Sequence, residues 1–213
     1  MGKRGKFIVF EGIDGSGKTT QVDLLQQRLT AVCKKNKCYV TREPSDSPPG
    51  LIARGAIKGT ILLSPKTLVW EFIADRTEHV EKVILPHLEN GIHVICDRFY
   101  FSNFAYQAAT VGFERLLDLN REIMEQIRPD MTFFIDTPSE ECARRRALER
   151  ADEELFDNNE DLESARKNYL RAFEELKDIE KSAIIIPREN AQRTFEIIWL
   201  KLVKEVFEES DLL

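Results

Sequence analysis

Metal-binding residue types are scarce in this sequence: three histidines and four cysteines occur in 213 residues. Cys33, Cys38, Cys96 and Cys142 form no CxxC pair and have no histidine cluster beside them, which argues against a zinc site and for free thiols in a reducing compartment. Long apolar runs are missing as well. Nothing approaches the roughly 18 residues needed to span a bilayer, and the run after the basic start, Phe7 to Phe10, is too short for a signal segment and reads as a first strand. A basic excess is also lacking. The formal net charge is −6, with acid gathered between Asp152 and Glu163, so the electrostatic footprint of a duplex nucleic-acid binder is absent. These absences leave a soluble, cytoplasmic protein with neither membrane nor nucleic-acid partners. Its length and 42% hydrophobic content suit one substantial domain over residues 1–213.

Glycine is sparse too, at ten residues, yet three fall within Gly12 to Thr20, GIDGSGKTT. This stretch completes the GxxxxGK[ST] phosphate loop, whose fixed positions recur by chance in roughly one per cent of chains this long. Its surroundings fit. Phe7 to Phe10 is β-prone, and Val22, Leu24, Leu25, Leu29 and Val32 follow at helical spacing, so the loop joins a strand to a helix N-terminus. Backbone N–H groups freed by Gly12, Gly15 and Gly17 can converge on a phosphate, where the helix dipole adds positive charge. Asp14, Ser16 and Thr20 lie in the same loop; Lys18 is placed to reach the β/γ-phosphates of ATP, and Thr19 to bind Mg²⁺. A flexible glycine turn with an exposed lysine is the competing description.

Further strands are expected at 38–41, 93–96, 131–135 and 183–186, with helices between them. Short apolar strands separated by helices describe an α/β fold with a parallel sheet. Pro44 and Ser45 to Gly50 read as a turn, 51–63 as a short helix and loop, and Lys66 to Glu89 as a long helix that Pro86 kinks and Asn90-Gly91 closes. In such sheets ligands bind at the carboxyl ends of the strands, which puts Glu11, Arg42, Asp97 and Asp136 on one rim. Residues 151–163 are polar and lack a core pattern, so a mobile lid is expected at about 145–163.

Taken in order, FEGIDGSGKTTQ (10–21), TREP (41–44), FIADR (72–76), DRFYFSNFAYQ (97–107) and RPDMTFFID (128–136) resemble the thymidylate kinases, a family of P-loop nucleoside monophosphate kinases. The resemblance covers nearly the whole chain. It implies transfer of the γ-phosphate of ATP to dTMP, a homodimer, and a three-layer P-loop kinase fold with a five-stranded parallel sheet, order 2-3-1-4-5, flanked by helices. It also implies that Arg42 holds the acceptor phosphate, as a bidentate guanidinium can, although an ordinary ion pair with Glu43 is open. Phe72 corresponds to the aromatic that stacks on thymine, unless it is plain core, and Arg76 to the arginine that reads a base-edge carbonyl. Asp97 corresponds to a Mg²⁺ partner, direct or through water, and Arg98 to a cation between donor and acceptor phosphates; a buried Asp97–Arg98 ion pair competes. Asn103 and Tyr106 match residues at the base edge and against the sugar, where a ribose 2′-hydroxyl would go. Ser102 and Gln107 share that stretch. Asp14 matches a carboxylate near the sugar 3′-hydroxyl, or only shapes the turn.

Two places depart from the pattern. The lid position where relatives carry an arginine is Glu153 here, leaving Arg145, Arg146 and Arg150, or else a solvated basic face. Arg146 and Arg150 are four apart and share a face, so Arg150 is expected to act on the donor phosphates and Arg145 to point elsewhere. After TREP stand Ser45 and Asp46 where glycines are common, with Arg54 at the spacing of another phosphate-facing arginine. Glu11 is ambiguous. Related deoxynucleoside kinases use a glutamate there as general base, but a phosphate acceptor needs none, so Glu11 reads as structural or as part of the metal and arginine network. A deoxynucleoside kinase and a non-catalytic ATP-binding switch are the rival functions.

Overall fold

The computed structural model describes residues 3–33, 38–149, 159–187, 190–208 and 211, the side chains of 149 and 159 aside. Five apolar runs form the strands β1 (Phe7–Glu11), β2 (Cys38–Arg42), β3 (His93–Asp97), β4 (Met131–Ile135) and β5 (Ser182–Ile185). All pair in parallel, in the order β2-β3-β1-β4-β5, the topology expected from sequence. The intervening helices are α1 (Lys18–Val32), α2 (Pro48–Ile57), α3 (Pro65–His79), α4 (Leu85–Glu89), α5 (Tyr100–Val111), α6 (Phe113–Gln126), α7 (Ser139–Glu149), α8 (Asn159–Glu175) and α9 (Ala191–Glu205).

Both faces of the sheet are covered, which is why β1 and β4 read as unbroken apolar runs. Successive side chains alternate between faces. Phe7, Val9, Val94 and Phe134 pack with Phe101, Phe104, Leu116 and Tyr169 from α5, α6 and α8. Ile8, Phe10, Ile95 and Phe133 pack with Leu25, Leu29, Phe195 and Ile198 from α1 and α9. Each such fully buried side chain stabilises the fold by about 1.5–3 kcal/mol.

Two helix boundaries correct the sequence reading. Pro48-Pro49 looks like a stop but starts α2: Ser47 caps it, its hydroxyl accepting from Gly50 N–H at 3.1 Å, and proline is tolerated in a first turn because the N–H it lacks has no partner there. The long helix is not one continuous α-helix up to Pro86. A π-helical turn, Val80–Ile84, joins α3 to α4 and re-spaces the backbone bonds around the proline. Gly91, with φ 75°, closes α4 as expected.

Candidate active site

At the carboxyl rim β1 runs into the glycine loop and α1 starts at Lys18. Gly15 and Gly17 have φ of 83° and 94°, conformations that strain any side chain, and a Cβ on Gly15 would lie 2.6 Å from the Cys142 carbonyl oxygen. The loop therefore curls tightly, and Lys18 folds back over it. Its Nζ donates to the Ile13 carbonyl at 3.1 Å, leaving ammonium N–H capacity for an incoming oxygen. Burial pushes the Lys18 pKa down, and Arg98 adds to that; Asp97, Asp14 and Glu11 oppose it. Gly12 and Ser16 pack beneath the loop, where a Cβ on Gly12 would meet the Ser16 hydroxyl at 2.6 Å.

Beside the loop Thr19 Oγ1 donates to Asp97 Oδ2 at 3.1 Å. Asp97 Oδ1 is buried with no hydrogen-bond partner among the described residues. A hydroxyl and a carboxylate with an unused oxygen are hard ligands of the kind Mg²⁺ takes when phosphates complete its shell, so these residues fit the ion.

Arg98 adopts φ 75° and leaves Asp97 for other partners. Its guanidinium donates to Asp14 at 2.9 Å, Tyr169 at 2.9 Å, Ser102 at 3.3 Å and Tyr106 at 3.4 Å, and lies 5.3 Å from the Tyr106 ring centroid. The Asp97–Arg98 ion pair is thus replaced by Asp97–Thr19 and Arg98–Asp14. Glu11 lies underneath, fully buried, accepting from Phe99 N–H, the Ser102 hydroxyl and the Tyr169 hydroxyl at 2.7–2.9 Å. Burial pushes its pKa up to about 7, against Arg98 and the three donors. That value would suit a general base, but the carboxylate is enclosed and does not line the cavity.

The cavity itself is about 540 Å³, in the range of small-molecule sites. It gathers Asp14, Gly15, Gly17, Lys18, Thr19, Thr20, Asp97 and Arg98 with Arg42, Phe72, Arg76, Asn103, Tyr106 and Gln107. Eight of its lining residues are Lys or Arg and three are Asp or Glu, although the chain is acidic as a whole, so the site attracts polyanions. Arg42 is exposed at its edge. Glu43, its sequence neighbour, instead accepts from Arg76 Nε at 2.9 Å and Nη2 at 2.6 Å and approaches His79 at 3.3 Å. Arg76 Nη1 donates to Asn103 and, at 2.7 Å, to Asn120. Because an arginine can only donate, the Asn103 amide is oriented; its Nδ2 donates to Gln107 Oε1 at 3.0 Å, which leaves the Gln107 NH₂ to donate elsewhere. Phe72 both lines the cavity and packs with Ala53, Ala56 and Leu68.

The lid arginines correct the sequence reading. Arg145 does not point away: its Nε holds Glu141 at 2.8 Å and its Nη1 donates to the Gly15 carbonyl at 3.3 Å. Arg145 and Arg146 both line the cavity. Cys142 is buried, and positions three and four residues further along a helix share its face, which is why both reach inward. Arg150 and Glu153 lie outside the described residues.

Tyr169 and Asn120 are among the residues of the polar networks that were not singled out in the sequence. Tyr169 looks like ordinary core in an amphipathic helix, and only its hydroxyl sets it apart. Asn120 had a readable signal, since it stands on the apolar stripe of Phe113, Leu116, Ile123 and Met124 in α6, where a polar side chain needs a buried partner. Asp136, on the rim as expected, is clamped by Arg166 of α8 at 2.6 and 3.0 Å.

Residues 10–193 match the family model described as thymidylate kinase. The chain is 42% identical over 180 residues to a Pyrococcus horikoshii protein named "Probable thymidylate kinase", covering 80% of this chain and 84% of that one. It is 36% identical over 211 residues to the thymidylate kinase of Caldicellulosiruptor saccharolyticus, covering 95% and 96%. The crystal structure of the Ehrlichia chaffeensis thymidylate kinase superposes with a TM-score of 0.73 at 27% identity, over 94% of this chain and all of the other.

Proposed function

The chain belongs to the thymidylate kinase family, and from that membership we propose how its own residues divide the work of passing the γ-phosphate of ATP to dTMP, giving dTDP and ADP. The observation that carries the assignment is one cavity in which the phosphate loop meets a second set of arginines beside an aromatic ring and oriented amides. One end suits a nucleoside triphosphate, the other a nucleotide that brings its own phosphate.

Residues Gly12 to Thr20 hold the donor phosphates, with Lys18 supplying charge inside a dry loop. Mg²⁺, held by Thr19 and Asp97, would neutralise charge on the phosphate oxygens. Arg42 and Arg54 receive the acceptor phosphate. Phe72 stacks on the base, while Arg76 and the NH₂ of Gln107 present donors to its carbonyl edge. Asn103 orients Gln107 and closes the wall behind the base. Arg98, tethered to Asp14 and against Tyr106, supports the charge that gathers between the two phosphates. Arg145 is the cation that the lid position at Glu153 does not provide; of the lid expected at about 145–163, residues 150–158 lie outside the described residues and Leu162 belongs to the core. Glu11 is structural: it holds Ser102, Tyr169 and the chain after Arg98 in place, and a phosphate acceptor already ionised at neutral pH asks nothing more of it.

Among the described residues no helix is long and apolar enough to cross a membrane; a cytoplasmic location is part of the same proposal and rests on the family alone. A homodimer is supported by apolar surface near α3, where Leu62 is 93% and Trp70 46% exposed.

Initial rates over a panel of nucleoside monophosphates test the reading. With donors facing the base and Tyr106 filling the space of a 2′-hydroxyl, dTMP is expected to exceed dCMP and UMP in kcat/KM by roughly 10²-fold or more. Equal efficiency with ribose and deoxyribose acceptors removes Tyr106 from that role, and equal efficiency with dCMP removes Arg76 and Gln107 from theirs.

A further inference from the structure

A negative charge of the protein's own stands just outside the acceptor end of the cavity. Asp46, on the loop between β2 and α2, accepts a hydrogen bond from Arg54 Nη2, and its carboxyl is held below the usual carboxylate range by that bond and by the charges of Arg54 and, further off, Arg42. These are the two arginines assigned above to the acceptor phosphate. The Asp46 side chain is 89% exposed while that of Arg54 is 20% exposed, so the carboxylate reaches in from solvent toward a guanidinium that lines the cavity.

Asp46 is not needed to place Arg54. The same Nη2 donates to the Ser45 carbonyl at 2.8 Å, and Arg54 sits in the last turn of α2. Ser45 is itself fixed, its N–H and hydroxyl donating to the buried Asp75 at 2.8 and 2.5 Å, with the Ser47 hydroxyl donating to the same carboxylate at 2.7 Å. The loop and the arginine keep their geometry from Asp75 and from backbone, and the Asp46 carboxylate adds only charge.

We propose that Asp46 is an internal counter-ion of the acceptor site, which occupies Arg54 in the empty enzyme and is displaced by the 5′-phosphate of the incoming nucleotide. Rotation of an exposed side chain into water suffices for the exchange. Two consequences follow from the competition. The carboxylate weakens binding of any acceptor phosphate, and it leaves thymidine, which has no phosphate, untouched. It also keeps free inorganic phosphate from saturating the arginines.

The inference rests on the dTMP kinase reading, and equilibrium titration of dTMP, thymidine and inorganic phosphate into the wild type and Asp46→Asn separates the two. An exposed ion pair of this kind is worth little in water, so Asp46→Asn is expected to tighten dTMP and phosphate by roughly two- to fivefold, with thymidine unchanged and the gain shrinking as salt is raised. A purely structural Asp46 predicts the opposite sign, because loosening the loop weakens dTMP. Unchanged or weaker dTMP binding by Asp46→Asn overturns the proposal, as does equal tightening of thymidine. A wild-type protein that fails to bind dTMP overturns the functional reading, and the counter-ion with it.

Discussion

Lys18→Ala is expected to lower kcat by roughly 10²- to 10³-fold or more while the protein stays folded. The reasons lie in the loop. Lys18 is buried beside Arg98, and burial pushes its pKa down, with Asp97, Asp14 and Glu11 opposing that shift. In that setting each Lys18 N–H aimed at a phosphate oxygen acts at low effective dielectric and does not have to reorganise during transfer. The fold loses only one bond, to the Ile13 carbonyl, and sheds a buried like charge next to Arg98, so the thermal midpoint should change little or rise. Single-turnover rates with thermal unfolding on the same samples check this. A folded Lys18→Ala protein of near-normal turnover contradicts the phosphate-loop assignment.

The second large effect is expected at Arg145. Lys18 and Arg98 are the cations built into the floor of the site, and transfer gathers several negative charges where water is excluded. Arg145 already donates to the loop, at the Gly15 carbonyl, and its stem is steadied by Glu141. A Cβ at Gly17 would lie 3.7 Å from its Nη1, which puts the guanidinium over the mouth of the phosphate loop. Arg145→Ala should therefore lower kcat by about 10²-fold and alter the KM for dTMP much less, since the contact strengthens as charge develops on the donor phosphates. Arg145→Lys should recover only part of the loss, because a point charge cannot hold Glu141 and a phosphate at once. Full kcat in Arg145→Ala, with loss in Arg146→Ala, would transfer the role to Arg146.

The strands and the phosphate loop were legible because they rest on local chemistry: apolar runs covered on both faces, and glycines where φ must be positive. The direction of side chains on α7 was not. SEECARRRALE has few apolar anchors, so spacing alone set Arg145 apart from Arg146 and gave no phase; the buried Cys142 sets the phase, and it places Arg145 and Arg146 inward together. Asp97 and Arg98 show a similar limit. As neighbours they invite an ion pair, and only the positive φ at Arg98 reveals that the chain turns and sends the two side chains to different partners. Pro48 was misread for a different reason: a proline pair stops a preceding element and starts a following one equally well, and the Ser47 cap decides between them. The Glu43–Arg76–Asn103–Asn120 cluster joins α3, α5, α6 and the loop after β2, and long-range pairing of that kind leaves no periodic trace beyond the single polar residue on the α6 stripe.

The most direct test of the whole account is the choice between dTMP and thymidine as acceptor, with ATP as donor and products resolved by chromatography. Both carry the same base and sugar, so the comparison isolates the question of whether Arg42 and Arg54 await a phosphate and whether Glu11, enclosed at a pKa of about 7, is excluded from acting as a base. The account predicts rapid formation of dTDP and ADP from dTMP, with thymidine left essentially unphosphorylated. Preferential conversion of thymidine to dTMP, abolished by Glu11→Gln, would contradict it.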